Sequence, residues 1–280
     1  MCDDNFHPVV VRRVPSSSIR GQASSQEASY AKGVLLAPGL DSSTAAWQRG
    51  LMTQCRLRRS RFYFSTPGYQ ISLEKHSDVV LASTQKSANK KKVIYKVVSG
   101  SAAAASHGVD VLGKVKSSDS SATEYVMYGP GLNPHKMSVW HEDRDALDQG
   151  QAVRTSIASI SYSKRVARTH LLGLRARGHG PRTLSCEVLD LGTEGTTYSL
   201  RSKQPVWDEV SDAFGLNFRG RASSRSSKNF QLYMEGDPKE SVIMQFGKVK
   251  RNEFTLDYRW PLTGLQAFGI ALSAFDQRLA

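Results

Sequence analysis

Cysteine is scarce in this chain: 280 residues hold three, Cys2, Cys55 and Cys186, odd in number and far apart. That spacing excludes a secreted disulfide scaffold and the CxxC pairs of a zinc site, and it predicts a reducing compartment. Metal-ligand spacing is missing among the histidines too, because His7, His76, His107, His135, His141, His170 and His179 form no HxH, HExxH or HxxxH. No GxSxG elbow, no GxGxxG after a strand and no GxxxxGK[ST] loop occurs, and no Ser, His, Asp trio stands out. The chain is therefore expected to be no enzyme, with neither cofactor nor metal. Acidic residues are also in short supply. Against 38 Lys and Arg there are 25 Asp and Glu, a formal net charge of +13 and a pI near 9.7. Such a balance favours polyanionic partners, either nucleic acid or the anionic cytoplasmic face of a membrane, and the sign alone does not choose between them.

Long hydrophobic runs are lacking as well. The opening "MCDDNFHPVVVRRVP" has an apolar run of three valines behind two acids, which does not make a signal peptide, so no export is expected. The stretch without charge from Trp260 to Phe275 spans about 24 Å as a helix, short of the ~20 residues that cross a bilayer. Gln266 and Ser273 sit inside it. At helical spacing Leu262, Leu265, Phe268, Leu272, Phe275 and Leu279 share one face, with Ala267, Ala271 and Ala274 opposite. A helix apolar all round belongs in lipid or in a large core; length and polar content predict a core helix over 261–279, with Pro261 in its first turn.

What is there in quantity is short strand patterns. Residues 1–52, rich in Ser, Ala, Gly and Gln, read as a disordered N-terminal arm, and the composition changes at "TQCRLRRSRFYFS", where the folded domain, 53–280, is placed. From there "KVIYKVV", "DVLGKVK", "TEYVMYG", "LSCEVLDL", "TTYSLRS", "KNFQLYME", "SVIMQFGKV" and "EFTLDYRW" are strand-like. "FGLNFRGRA" joins them, because Phe214, Leu216 and Phe218 alternate with Gly215, Asn217 and Arg219. "EGDP" and "KVKRNE" read as hairpin turns. Many short strands at close spacing predict a sandwich or barrel. Between Glu142 and Leu172 the alternation fades, and "DALDQGQAVRTSIASISYSKRVAR" reads as a helical or irregular excursion. In "GKVK", Lys114 and Lys116 leave the same face of a strand, which suits two separate phosphates of one head group. Aromatics interleaved with basic residues, as in an RNP-like nucleic-acid site, are missing.

"SVIMQFGKV" followed by "FTLDYRWPLTGLQAFGIALSAFDQRLA" resembles the closing signature of the tubby-like proteins. "LNFRGRASSRSSKNFQL" matches the segment before it, and "QCRLRRSR", "LGKVKSSDSSATEYVMYGPGLNP", "QPVWDE" and "LLGLRARGHGPR" are similar to earlier landmarks, so the resemblance covers about residues 54 to 280. It implies a mainly β fold: a closed antiparallel β-barrel of about twelve strands enclosing a hydrophobic C-terminal helix. It also implies binding of phosphatidylinositol 4,5-bisphosphate at the inner plasma membrane, by a membrane-tethered adaptor or trafficking protein with nuclear or ciliary roles in some members. Carried over by position, the lipid-binding residues are Lys114, Lys116 and Arg154. Where the family has an asparagine that also touches the lipid, this chain has Ile94, and Lys92 or Lys96 is expected to compensate. Ala176 to His179 stand as an insertion. Cargo or a transport complex would be met through residues 1–52. The alternative function is a nuclear DNA-binding or transcription-regulating protein released by phosphoinositide hydrolysis.

Overall fold

A computed structural model describes residues 33, 35–36, 52–60, 68–88, 93–100, 111–118, 121–133, 152–163, 166–171, 174–179, 182–192, 195–209 and 213–276, without side chains at 76–79, 85–88, 166–171, 174–179 and 213. In chain order the strands are β1 (Thr53–Ser60), β2 (Gly68–Leu73), β3 (His76–Ala88), β4 (Val93–Ser99), β5 (Val111–Ser117), β6 (Glu124–Tyr128), β7 (Ser156–Ser163) and β8 (Val166–Leu171). There follow β9 (Leu174–His179), β10 (Thr183–Leu189), β11 (Thr197–Ser202), β12 (Val206–Asp208), β13 (Ala213–Gly215), β14 (Phe230–Met234), β15 (Val242–Lys250) and β16 (Glu253–Tyr258). Twelve of them close a barrel in the order β1, β16, β15, β14, β11, β10, β7, β6, β5, β4, β3, β2, and closure leaves no sheet edge exposed. Two ribbons, β8–β9 and β12–β13, stand apart from it. The inserted Ala176–His179 form most of β9.

Through the barrel runs helix α1 (Gly264–Ser273), and every one of its residues is buried. Thr263 is its N-cap, with a capping box in which the Gln266 backbone N–H donates to Thr263 Oγ1 and the Thr263 N–H donates to Gln266 Oε1. The helix thus begins three residues after Pro261 rather than at it, and its last described turn ends before 279. Its polar residues have partners inside the barrel. Gln266 Nε2 donates to the carbonyls of Ile157 and Leu189 at 3.0 and 2.7 Å, and Ser273 Oγ lies 2.7 Å from the Tyr162 hydroxyl. A buried amide without such partners would cost several kcal/mol, roughly 2–7. Gly269 is required by packing: a Cβ there would collide with Met127 Sδ and crowd Val115. No helix among the described residues is long and apolar enough to cross a membrane.

Two sequence expectations are corrected. The alternation of Phe214, Leu216 and Phe218 is not one strand: β13 stops at Gly215, and Arg219 and Gly220 take positive φ (49° and 80°) in an irregular strap. Phe218 is buried against the position where Gly247 leaves room, while Phe214 stays exposed. The excursion before Leu172, read as helical or irregular, is irregular at 152–155 and strand over the described residues beyond, with β7 beginning at Ser156 and β8 at Val166. The turns at Gly236 (φ 89°) and Asn252 (φ 66°) stand where "EGDP" and "KVKRNE" predict them.

The strap over 216–229 is fixed by Arg221. Its Nε and Nη2 donate to the two oxygens of Asp257 at 2.8 and 2.6 Å, and Nη1 donates to Glu74 Oε2 at 2.6 Å. Arg56 donates to the other oxygen of Glu74, and Gln245 Nε2 to Asp257 Oδ2 at 2.7 Å. Burial raises the Glu74 pKa, but the hydrogen bond and charge of Arg221, then those of Arg56, outweigh it and hold the carboxyl below its usual value. Asp257 thus pairs with an arginine, as a polar residue on a strand face should. Of the arm, residues 1–32, 34 and 37–51 lie outside the described residues. Leu35 is buried, within van der Waals reach of the Gly264 position at the start of α1.

Candidate functional site

On β5 the side chains alternate. Val115 packs inward beside Gly269, and Gly113 leaves its Cβ space to Leu265, so Lys114 and Lys116 are directed outward and are half-buried. They are about 6.5 Å apart along the strand. Half-burial suits a lysine whose stem covers an apolar support while its charged head reaches out. The neighbouring strands add a row across the wall. Lys96 on β4 and Tyr128 on β6 flank Lys114, and Ile94 and Val126 flank Lys116. Neighbours in such a row are about 5 Å apart at Cα, and like charges directly opposite are mutually unfavourable. The Lys96–Lys114 pair therefore gains whenever an anion bridges it.

Arg154 joins the same wall by an irregular, extended segment rather than by a helix, so of the two readings of the excursion the irregular one holds at 152–155. The Leu132 N–H donates to the Ala152 carbonyl and the Arg154 N–H to the Leu132 carbonyl, each at 3.0 Å, and Gly129 N–H donates to Thr155 at 3.0 Å. Gly131, at φ 122°, permits this approach, because a Cβ there would strike the Ala152 carbonyl and come within 2.7 Å of Arg154 N. So anchored, the Arg154 guanidinium sits over the Tyr128 ring, 5.2 Å from its centroid. Its Nε is buried and has no hydrogen-bond partner among the described residues. Stacking on an aromatic face leaves the planar donor fork pointed for a carboxylate or phosphate.

Lys114, Lys116, Arg154 and Lys96 thus share one wall, and Lys92 lies outside the described residues. Tyr128 is the member that sequence reasoning missed. The β5–β6 register, with Ser117 opposite Tyr125, places it; counting back along both strands from the turn would have found it. Burial, reinforced by the negative charges of Asp257 and Glu74 against the opposing Arg221, pushes the Cys55 thiol up to about 12, and burial raises the Cys186 thiol further. Both are inert thiols at neutral pH. Among the described residues no three His, Cys, Asp or Glu side chains are grouped to hold a metal.

The barrel and its helix are matched by known proteins. Tubby-related protein 1 of Mus musculus is 29% identical over 259 residues, 83% of this chain and 44% of that protein. Tubby-related protein 3 of Homo sapiens is 30% identical over 261 residues, 83% of this chain and 55% of that protein. Protein king tubby of Drosophila sechellia is 49% identical over a shorter stretch of 81 residues, 29% of this chain and 18% of that protein. The chain matches about half the length of the two tubby-related proteins. A model of the Tub family matches residues 43–277. With most of its length covered by that match, the chain belongs to the Tub family.

Proposed function

We propose that the chain binds phosphatidylinositol 4,5-bisphosphate on the wall formed by β4, β5 and β6, and so tethers itself to the inner face of the plasma membrane as a non-enzymatic adaptor or trafficking protein. The observation that carries this reading is the cationic row, with Lys96 beside Lys114, Lys116 two residues on, and Arg154 held over Tyr128. Lys114 and Lys116 grip adjacent ring phosphates as mobile point charges. Arg154 adds a planar donor fork, and its unpartnered Nε gains a hydrogen bond when a phosphate oxygen arrives. Lys96 replaces the contact that Ile94 does not make. Each basic residue near an anionic surface contributes about 1 kcal/mol, so Lys114, Lys116 and Arg154 give about 3, a factor on the order of 100 in affinity. That is enough for tethering that reverses when the lipid is hydrolysed.

Vesicle sedimentation with and without the bisphosphate lipid tests the reading. Wild type is expected to sediment only with lipid-bearing vesicles, and Lys114→Ala/Lys116→Ala to lose most of that binding; equal binding by both proteins sinks the site. The net charge of +13 supports a second reading as a nuclear DNA-binding regulator. That reading predicts duplex binding that persists at physiological salt and falls steeply as salt rises. Duplex binding absent under those conditions, with vesicle binding intact, assigns the charge to the membrane.

A further inference from the structure

A second gathering of cations lies at the barrel mouth around the C-terminal end of α1. Arg59 belongs to the inward face of β1, in step with the buried Cys55 and Leu57. Its guanidinium lies 5.9 Å from the Tyr69 ring centroid and 6.0 Å from that of Phe275, and its Nε is buried with no hydrogen-bond partner among the described residues. Arg182, just before β10, lies over Tyr162 at 5.8 Å and donates from Nη2 to the Ser227 carbonyl at 2.7 Å. On the other side of the next residue, the Lys248 N–H of β15 donates to Asn229 Oδ1 at 2.9 Å. Lys228 is thereby held between two segments that each carry a further cation, and it is half-buried. Burial, then the charges of Arg182, Arg59 and Lys248, hold the Lys228 ammonium pKa below its usual value.

Balancing the end of α1 does not account for this many charges. A helix C-terminus carries about half a negative charge, and Asp276, which accepts from the Tyr125 hydroxyl, adds one carboxylate. Arg59, Lys228 and Lys248 alone, three cations, exceed that sum. No salt bridge joins Arg59, Lys228 or Lys248 to a carboxylate among the described residues. The wall carrying Lys114 and Lys116 is elsewhere, since β15 and β5 are six strands apart in either direction round the ring.

We propose that this mouth is a second anion site, in which Lys228 and Arg59, flanked by Arg182 and Lys248, bind a phosphomonoester, either free or carried on a lipid head group. The phosphate replaces cation–cation repulsion with charge-assisted hydrogen bonds and gives the buried Arg59 Nε an acceptor. Inositol 1,4,5-trisphosphate is the soluble probe, and vesicles of phosphatidylcholine with phosphatidylinositol 4,5-bisphosphate are the lipid-borne one. Both are measured on the full chain carrying Lys114→Ala/Lys116→Ala, which removes the wall site. That protein is expected to retain calorimetric binding of the soluble probe, and added Lys228→Met to weaken it by about tenfold or more. Lys228→Arg is expected to restore it. Lys228→Met is expected to raise the unliganded Tm, so the weakened binding is not a failure to fold. Binding of the soluble probe alone identifies a free phosphate, and Lys228-dependent vesicle binding as well identifies a lipid-borne one. If the double variant binds neither probe, or if Lys228→Met binds as tightly as its parent, the mouth is no site. Failure of the wall proposal reads differently: wild type and double variant would then sediment equally, and the Lys228 comparison would still report on the mouth.

Discussion

On the wall built from β1, β15 and β16, Arg221 is gripped by both oxygens of Asp257 and by Glu74, and Arg56 closes the group from the other side. On the wall built from β4, β5 and β6, Lys96, Lys116 and Arg154 stand in a row with no carboxylate in ion-pair range among the described residues. The two walls face opposite directions, and both carry basic side chains on a closed sheet. What differs is where the counter-charge comes from. Arg221 has its anions within the chain and uses them to fasten the 216–229 strap. Lys96, Lys116 and Arg154 have no such anion among the described residues. A surplus of +13 therefore says little until each cation is asked for its partner.

Breaking the paired wall should produce the largest effect. Arg221→Ala leaves the carboxylate of Asp257, 1% exposed, buried without its cation. Removing one partner of a buried pair costs about 3–5 kcal/mol, a fall in Tm on the order of 10 °C for a chain of this size. Calorimetry reads it, and vesicle binding by the protein that remains folded should match wild type. A Tm within a degree or two of wild type would mean that the strap is held by Phe218 and by Ser223 and Ser224, whose N–H groups donate to the Lys248 carbonyl and whose hydroxyls donate to the Val249 carbonyl, rather than by charge.

The mirror experiment is Lys114→Ala/Lys116→Ala on the wall of β4, β5 and β6. Lost surface cations change stability by roughly 0.5 kcal/mol or less, while bilayer affinity should fall by about 2 kcal/mol, on the order of 30-fold. Stability and binding should thus separate cleanly between the two walls. A large loss of Tm in this variant would place Lys114 and Lys116 in the structural class with Arg221.

Acid sharpens the comparison further. Because Arg221 and Arg56 keep the folded-state pKa of Glu74 below the ordinary 4.5, its contribution is complete above that value and is lost as pH falls through the lower folded value. Stability measured by denaturant should therefore decline below about pH 4.5, with a smaller slope in Glu74→Gln. Lys114→Ala/Lys116→Ala should leave that slope unchanged.

How much of this was legible in the sequence follows from which interactions are local. The core helix was legible because its uncharged run is continuous from Trp260 to Phe275 and holds Gln266 and Ser273; its start was not, because the Thr263–Gln266 capping box sets it beyond Pro261. The hairpin turns were legible as equally local patterns. β7 was not, because its outward positions are Ser156, Ser159, Ser161 and Ser163, small residues with weak strand preference, and what makes it a strand is pairing with β6 and β10. The strap misled in the opposite sense: Phe214, Leu216 and Phe218 alternate, yet their backbone direction is set by Arg219, Gly220 and the Arg221 ion pairs. At the site, Lys114 and Lys116 show as a same-face pair, and the family resemblance supplies Arg154. Lys96, named there only as a replacement contact, and Tyr128 both flank Lys114 by cross-strand register, and only Tyr128 can be reached by counting along one hairpin.

Tyr128 gives the smallest effect and the finest test of the wall formed by β4, β5 and β6. It carries no charge, so direct attraction to an anionic surface does not depend on it; its role is to hold the Arg154 guanidinium at 5.2 Å above its ring. A partly exposed cation–π contact contributes about 0.5–1 kcal/mol. Tyr128→Leu keeps an apolar support and removes the ring, so affinity for lipid-bearing vesicles should fall two- to fivefold, about what that energy allows. The same change made on Arg154→Ala should then cost almost nothing, because the group it positions is already gone. If the two losses add in full, Tyr128 acts on the lipid by itself, and the wall binds by three independent cations rather than by a lysine pair with an arginine set in place beside it.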